Sequence, residues 1–192
     1  MPKSGGSGQA LTLSTEQLDS IMNECPPKLR AVLSTTRFTA CRISEALSLR
    51  WSNVTATDVV IPKRITKGKK KTRTIPLNPK LAEELTSWKV TWSAEYKKVP
   101  ESADFLFPGG ICISEHYSRK TVDEQFRAVC KKLNIEGAST HSFRRSALTA
   151  ASSAGIPLRH CQLISGHASL DMLSRYIDVS ESQKRAVSMA FG

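Results

Sequence analysis

The strand signal of this chain is confined to one segment, residues 56–77, and this restricts the chain to mainly helical folds. There the stretches TDVVIP and TRTIPL are short, rich in β-branched residues and separated by a Gly-Lys cluster. Such a pattern predicts an antiparallel pair of strands. Elsewhere the apolar residues recur at helical spacing. We therefore predict a mainly α fold with a small antiparallel β-sheet, which is an α+β class.

Capping residues predict where several helices begin. Ser14 with Gln17, and Thr121 with Glu124, have capping-box spacing, so helices are expected from about residues 15 and 121. Asn78, which precedes a proline, predicts another helix that runs to about residue 93.

The first residues differ in composition from the rest of the chain. Residues 1–11 are rich in glycine and serine and lack the apolar stretch of a secretory signal, so we interpret them as a flexible linker or a cloning remnant. Residues 12–192 then form one domain. No apolar run approaches the ~18 residues of a membrane span, so we expect no membrane partner.

The charge balance favours a polyanionic partner. The formal net charge is +11 and the pI is about 9.7, which most simply indicates nucleic acid. An anionic membrane surface is the alternative, but the chain has no basic amphipathic helix with a broad apolar face.

Cysteine usage excludes the disulfide-scaffold class. The chain has five cysteines, an odd number, and none are spaced C-x-x-C. Neither a zinc site nor a disulfide framework is indicated, so we expect free thiols in a reducing cytosol and no metal.

Two stretches place arginines beside apolar helical residues. In TACRISEALSLRW, burying Arg42 is costly without a partner, and Glu45 three residues later can be that partner in a merely structural pair. In THSFRRSALTA, His141 and Arg144 are neighbours on one helix face. They are either a solvated surface or two donors directed at one anion.

A basic run lies between the two predicted strands. Its members are Lys67, Lys69, Lys70, Lys71 and Arg73. Such a run is usually a solvated tip that contacts DNA phosphates without sequence preference. One lysine at a strand end can also reach a reacting bond and give up a proton, which an arginine does not readily do.

His167 and Tyr176 complete the set of candidates. Nine residues separate them, so on one unbroken helix they would point apart. They converge only if His167 lies in a turn before the helix. Gly166 and the potential N-cap Ser169 favour such a break.

The order and spacing of these motifs resemble the catalytic domain of the tyrosine recombinase (phage integrase) family. TACRISEALSLRWSNV is similar to the first box of that family, and THSFRRSALTAASSAGIPLRHCQLISGHASLDMLSRYIDV to its second box. The resemblance covers about residues 12–180. It implies the fold of the DNA breaking-rejoining enzymes.

The resemblance implies a reaction and its principal residues. Tyr176 matches the nucleophile that attacks a DNA phosphodiester, forms a 3′-phosphotyrosyl bond and releases a 5′-hydroxyl. Arg42 and Arg144 match the arginines that hold the nonbridging oxygens. Positioned cations lower the barrier of such a transfer, and a guanidinium fork suits two oxygens. The covalent ester conserves the bond energy, so we expect neither metal nor ATP nor another cofactor.

The remaining roles also follow from the resemblance. His141 and His167 match the second-box histidines, one near the proton transfers and one donating to the phosphate. Glu45 matches a supporting acidic position. Lys67 matches the hairpin lysine that protonates the leaving oxygen. The hairpin is one residue longer than usual, so Lys69 is the alternative.

Besides the longer hairpin, the chain departs from the family in two respects. Ala40 and Cys41 replace a glycine and an aliphatic residue, and we expect little effect because both are small. We expect no N-terminal core-binding domain of the kind usual in the family, and we interpret the chain as an excised catalytic domain or a minimal recombinase. The segment after Tyr176 packs either on its own chain or on a neighbour.

The predicted function is therefore site-specific DNA recombination or integration. The alternatives are relaxation of DNA by a type IB topoisomerase and a noncatalytic DNA-binding module. The predicted partners are double-stranded DNA, three further copies in a homotetramer on DNA and accessory DNA-bending proteins, with a monomer in the absence of DNA. The predicted location is the cytoplasm of a bacterial host, at the nucleoid, or the source is a virus or mobile element.

Overall fold

The computed structural model describes residues 10–66, 68, 71–110, 113–179 and 181–190. Helices dominate this part of the chain, as predicted, and short 3-10 turns occur at Trp51–Asn53 and Lys63–Ile65. The α-helices and strands within it are α1 (Thr15–Glu24), α2 (Pro27–Thr39), α3 (Ile43–Leu47), β1 (Asp58–Ile61), β2 (Arg73–Pro76), α4 (Pro79–Tyr96), α5 (Arg119–Lys132), α6 (Thr140–Ser153), α7 (Leu158–Ser165), α8 (Leu170–Ser174) and α9 (Glu181–Met189).

The two strands form the predicted antiparallel pair. Val59 lies opposite Ile75, and Ile61 lies opposite Arg73. Alternate residues of a strand share a face, so Arg73 lies on the same face as Ile75, which is buried. The register therefore directs the first residue of β2 toward the interior.

The main core is built around α2. Leu29, Val32 and Leu33 of this helix are fully buried, and α2 packs against both α4 and α6. Trp88 from α4 and Phe143 from α6 complete the core on either side. Within the described residues, no helix combines the length and the apolar character needed to cross a bilayer.

A smaller apolar cluster lies near the C-terminal helices. Its buried members are Ala40, Leu148, Cys161 and Leu173, and Tyr176 packs against their edge. Positive φ angles at Gly155 (78°) and Gly166 (68°) follow α6 and α7, as the sequence predicts for glycines at helix ends. The Ser169 hydroxyl caps α8 by accepting the N–H of Met172.

The predicted start of α5 is wrong by one turn. Ser118, not Thr121, is the N-cap, and its hydroxyl accepts the N–H of Thr121. The helix starts earlier because a hydrogen bond from the N–H of Tyr117 to the Phe107 carbonyl, at 2.7 Å, fixes the backbone just before Ser118. This long-range contact is invisible in the local pattern.

The linker and the helix predicted after α2 have other bounds in the structure than the sequence predicted. Leu11, which the sequence placed in the linker, donates its N–H to the Gly137 carbonyl and packs on the main core. The helix predicted through CRISEALSLRW ends at Leu47, and Arg50 forms an isolated antiparallel β-bridge with Phe105. Residues 1–9, Lys67, Lys69, Lys70 and Cys112 lie outside the described residues.

Candidate active site

Glu45 is a buried carboxylate held between two guanidinium groups. Arg42 precedes α3 as its N-cap, and its backbone N–H donates to Glu45 Oε2 at 2.9 Å. Its Nη1 donates to Oε1 at 3.1 Å. Arg73 donates from Nη2 to Oε2 at 2.5 Å. One carboxylate with an exposed fraction of 1% therefore orients both arginines.

Arg73 does not lie with the exposed lysines among which the sequence analysis grouped it. Its side chain is only 6% exposed, because the strand register directs it inward. Its Nη1 donates to the Ile164 carbonyl at 2.8 Å, which ties β2 to the end of α7. Its role as a DNA-contacting residue is thus corrected to that of a support for Glu45. Lys71 keeps an exposed position beside it.

Arg144 reaches the site from α6 and is almost fully buried. Its Nη1 donates to the Ala40 carbonyl, and its Nη2 donates to the Ser165 carbonyl at 3.0 Å. Ala40 presents this carbonyl from a left-handed conformation, with φ 48° and ψ 26°. This conformation is uncommon for a residue with a Cβ, and it is the one that brings the Ala40 carbonyl to Arg144.

His167 lies in the turn between α7 and α8, as its convergence with Tyr176 requires. Its Nε2 is 3.0 Å from Arg144 Nη2, and its Nδ1 is 2.8 Å from Ser165 Oγ. Since a guanidinium only donates, the ring is an acceptor here and is neutral. Burial, followed by the charges of Arg144, Arg42 and Arg73, lowers the pKa of His167 to about 3.

The site carries an excess of positive charge. Burial, followed by the nearby charge of Arg42, lowers the pKa of Arg144 to about 10, and the opposing effect of Glu45 is smaller than that of Arg42. The guanidinium groups of Arg42 and Arg73 bind the Glu45 carboxylate, and the charge of Arg144 interacts with all three, so among these four described side chains the positive charges outnumber the negative one by two. The difference of two positive charges is costly to bury without an anion.

Tyr176 is half-buried at the edge of this charged pocket. Its ring centroid is 4.7 Å from that of His167, and the guanidinium carbon of Arg144 is 5.8 Å from its ring centroid. The N–H of Tyr176 donates to the Leu173 carbonyl at 2.8 Å, which continues the turn of α8. A phenol therefore stands beside two residues that can bind an anion.

His141 and the basic run occupy different positions in the structure. His141 lies one turn before Arg144 on α6, is partly exposed and borders a cavity of about 370 Å³ that Arg119 and Arg127 also line. Lys67, Lys69 and Lys70 are outside the described residues, so their predicted roles stay predictions.

Sequence reasoning missed Arg73 as a buried support, and also Ser165 and Arg145. Ser165 belongs to no recognisable motif, and its hydroxyl joins the site through its contact with Nδ1 of His167. Arg145 is 8% exposed on α6. The signal for it was the second arginine of FRRS inside an apolar helix, since a buried guanidinium needs acceptors for its N–H groups and an acidic side chain is one of them. That partner, Asp178, is 33 residues away.

The arrangement is suited to binding an anion. Within the described ranges, no three histidine, cysteine or acidic side chains come together as metal ligands. The converging donors are guanidinium groups, which bind phosphate oxygens through planar N–H pairs. The phenol at their edge is a potential nucleophile.

Known proteins resemble this chain in sequence. The model of the phage integrase family matches residues 12–183. A tyrosine recombinase of Pseudothermotoga lettingae is 33% identical over 158 residues, which are 80% of this chain and 50% of that protein. The chain thus spans about half the length of the curated relatives it matches.

Solved structures give the fold. The crystal structure of XerA recombinase matches with a TM-score of 0.77 and 19% identity, over 100% of this chain and 67% of that chain. The XerH site-specific recombinase bound to palindromic difH substrate, a post-cleavage complex, matches with a TM-score of 0.75 and 22% identity, over 98% of this chain and 56% of that chain. The predicted fold is confirmed.

Proposed function

Because the chain belongs to the phage integrase family, we propose that it cuts and rejoins DNA strands through a covalent bond between Tyr176 and a DNA 3′-phosphate. It acts as a site-specific recombinase or integrase. The catalytic residues are Arg42, Lys67, His141, Arg144, His167 and Tyr176, with Glu45 in support and Lys69, Lys70 and Lys71 as DNA contacts.

The observation that carries this proposal is the buried excess of positive charge next to a phenol. The lowered pKa of Arg144 reflects its burial first and its proximity to Arg42 second. A phosphodiester between these two guanidinium groups relieves their repulsion. It also builds negative charge on its nonbridging oxygens during transfer, so the same groups bind the transition state more tightly than the ground state.

The chemical step balances without an external energy source. The phenolic oxygen of Tyr176 forms a bond to phosphorus as the bond between phosphorus and the 5′ oxygen breaks. The phenolic proton goes to a base or water near His141, and the leaving oxygen takes a proton from Lys67 or, in the alternative, Lys69. Rejoining is the reverse, with a 5′-hydroxyl as nucleophile. No metal or ATP is needed because guanidinium groups stabilise the charge and the ester conserves the bond energy.

Phosphate binding has to compete with His167 for Arg144. Nη2 of Arg144 contacts the His167 ring at 3.0 Å. For His167 to donate to the phosphate, as proposed, its Nε2 must carry the proton and the ring must leave the guanidinium. DNA entry therefore includes a rearrangement of this contact.

The proposed partner is double-stranded DNA. The net charge of +11 supports it, and the matching XerH structure is of a complex with its difH substrate. A homotetramer on DNA, accessory DNA-bending proteins and a bacterial, viral or mobile-element origin are parts of the same proposal.

A nicked suicide substrate tests the reaction. Incubation with DNA that carries the cognate site should give a covalent adduct on a denaturing gel, and Tyr176→Phe should abolish it. Tyr117→Phe is the matched control, because it removes a phenolic hydroxyl far along the chain that bonds Gln125. A noncatalytic binding module forms no adduct. Relaxation without strand exchange between two sites would indicate a topoisomerase.

The proton donor is tested separately with a substrate whose 5′ bridging oxygen is replaced by sulfur. This leaving group needs no general acid, so it should restore cleavage to whichever of Lys67→Ala and Lys69→Ala lacks the donor. Restoration of neither variant would contradict both assignments.

A further inference from the structure

Arg145 makes three described contacts around the segment that carries Tyr176. Its Nη1 donates to the Arg175 carbonyl at 3.1 Å, and its Nη2 donates to Asp178 Oδ1 at 2.6 Å. Its Nε donates to Thr12 Oγ1 at 2.8 Å, and the Thr12 hydroxyl in turn donates to Asp178. One guanidinium therefore binds the chain immediately before and shortly after the nucleophile.

Thr149 binds the same segment one turn further along α6. Its hydroxyl donates to the Tyr176 carbonyl at 3.2 Å and accepts the N–H of Asp178 at 3.3 Å. Residues 145 and 149 lie four apart, so they share one face of the helix. Leu148, between them, belongs to the apolar cluster on which the Tyr176 ring packs.

We propose that Arg145 and Asp178 are positioning residues that hold Tyr176 at the phosphate pocket of its own chain. The proposal rests on the proposed function for its chemical meaning, since positioning matters only if Tyr176 attacks a phosphate. The described contacts of Arg145 include none of the proposed reacting atoms, and through them it acts on the backbone on either side of the tyrosine.

The position of Arg145 on α6 explains why this hold affects the chemistry. Arg144, its neighbour, points to the phosphate pocket, while Arg145 points to the tyrosine segment. One helix thus fixes both the anion-binding group and the nucleophile. The distance of attack depends on both, and small misplacements of reacting groups are costly.

The ion pair has an asymmetric environment that suggests which partner to change. The side chain of Arg145 is 10% exposed, whereas that of Asp178 is 54% exposed. The hydrogen bond from Arg145 lowers the pKa of Asp178. Removing Arg145 threatens folding, but Asp178→Asn removes only a charge at the surface and keeps the shape of the side chain.

Limited proteolysis tests the hold without any reference to activity. Trypsin cleaves after Arg175, which is exposed and whose carbonyl accepts from Arg145. Opening of the segment should govern this cleavage. We expect Asp178→Asn to raise the rate of cleavage after Arg175 about fivefold, as for one weakened charge-assisted contact. Asp178→Glu should restore the wild-type rate at least in part.

The matched control is Asp19→Asn. Asp19 is also an exposed carboxylate (58%) paired with a mostly buried arginine, Arg37, at 2.8 Å. This variant should leave cleavage after Arg175 unchanged. An unchanged rate in Asp178→Asn, or an equal increase in both variants, overturns the proposal.

Adduct formation on the nicked substrate then connects the hold to catalysis. At saturating DNA, Asp178→Asn should slow adduct formation about fivefold, while its affinity for DNA stays at the wild-type value. Asp19→Asn removes a comparable ion pair and should leave the rate of adduct formation unchanged, so an equal slowing in both variants contradicts positioning. If the wild type forms no adduct, the proposed function fails, and proteolysis still decides whether the hold exists.

Discussion

Gly166 lies where the site leaves no room for a Cβ atom. With φ at 68°, a Cβ built on this residue would lie 2.9 Å from Cδ and Nε of Arg73. The Arg73 side chain cannot move aside at low cost, since Glu45 and the Ile164 carbonyl hold its guanidinium. Glycine is needed here for backbone conformation and for packing at the same time.

Gly166→Ala is expected to destabilise the fold more than a comparable change elsewhere. The left-handed conformation costs about 1 kcal/mol for alanine, and displacement of Arg73 adds about 1–2 kcal/mol more. Gly155→Ala is the matched control, because Gly155 has φ 78° and no atom within 4 Å of the built Cβ. Urea unfolding of both variants measures the difference. Equal losses would mean that Arg73 gives way freely.

His167 makes stability depend on pH in a defined direction. Its pKa is about 3 in the folded protein, against an ordinary value of 6.5 in the unfolded chain. Below pH 6.5 the unfolded chain binds a proton that the folded protein does not, so stability falls as the pH falls. The loss continues until the pH reaches the folded value, at up to about 1.4 kcal/mol per pH unit.

Urea unfolding at pH 7.5 and 5.5 measures this dependence. The wild type should lose about 1.4 kcal/mol more than His167→Gln between these two values. His160→Gln, a change at an exposed histidine of α7, should keep the wild-type dependence. Parallel losses in the wild type and His167→Gln would show that the folded site accepts the proton.

At the scale of elements, α5 illustrates how a local signal can mislead. Two potential caps lie three residues apart, and Thr121 with Glu124 has the better capping-box pattern. The structure uses Ser118, because pairing of Tyr117 with Phe107 brings the chain into place one turn earlier.

Ser118→Ala should therefore cost about 1 kcal/mol of stability, as expected for a lost helix N-cap. Thr121→Ala should cost less, because Thr121 lies inside the helix and its backbone N–H is retained as the bonded group. Thermal or urea unfolding of the two variants checks this order. A larger loss for Thr121→Ala would favour the cap predicted from the sequence.

Local patterns predicted those elements whose signals are local. The Ser14 box, the glycine after α7 and the antiparallel strand pair were all confirmed. Arg42 and Glu45 were paired correctly since three residues separate them. Burial of Arg73 and Arg145 was not predicted, because their carboxylate partners are 28 and 33 residues away. A charge pattern cannot distinguish such arginines from solvated ones.

At the scale of the whole molecule, the cysteines report on the integrity of the core. The four described cysteines, Cys25, Cys41, Cys130 and Cys161, are free and buried. Burial raises the pKa of Cys25 to about 12 and those of Cys41 and Cys130 to about 11. It also raises the pKa of Cys161.

A thiol reagent at neutral pH should therefore react with these four positions only when the protein opens. We expect Cys112→Ser, which removes the one cysteine outside the described residues, to show no rapidly reacting thiol. Addition of urea should expose all four in a single transition. A rapidly labelled thiol in the native variant would identify a part of the core that opens locally.

The contacts of Arg145 and Thr149 with the tyrosine segment bear on how such a protein can diversify. Because α6 also carries Arg144, one helix sets the spacing between the attacking phenol and the group that binds the phosphate. Surfaces that recognise DNA bases can therefore change during evolution without altering this spacing.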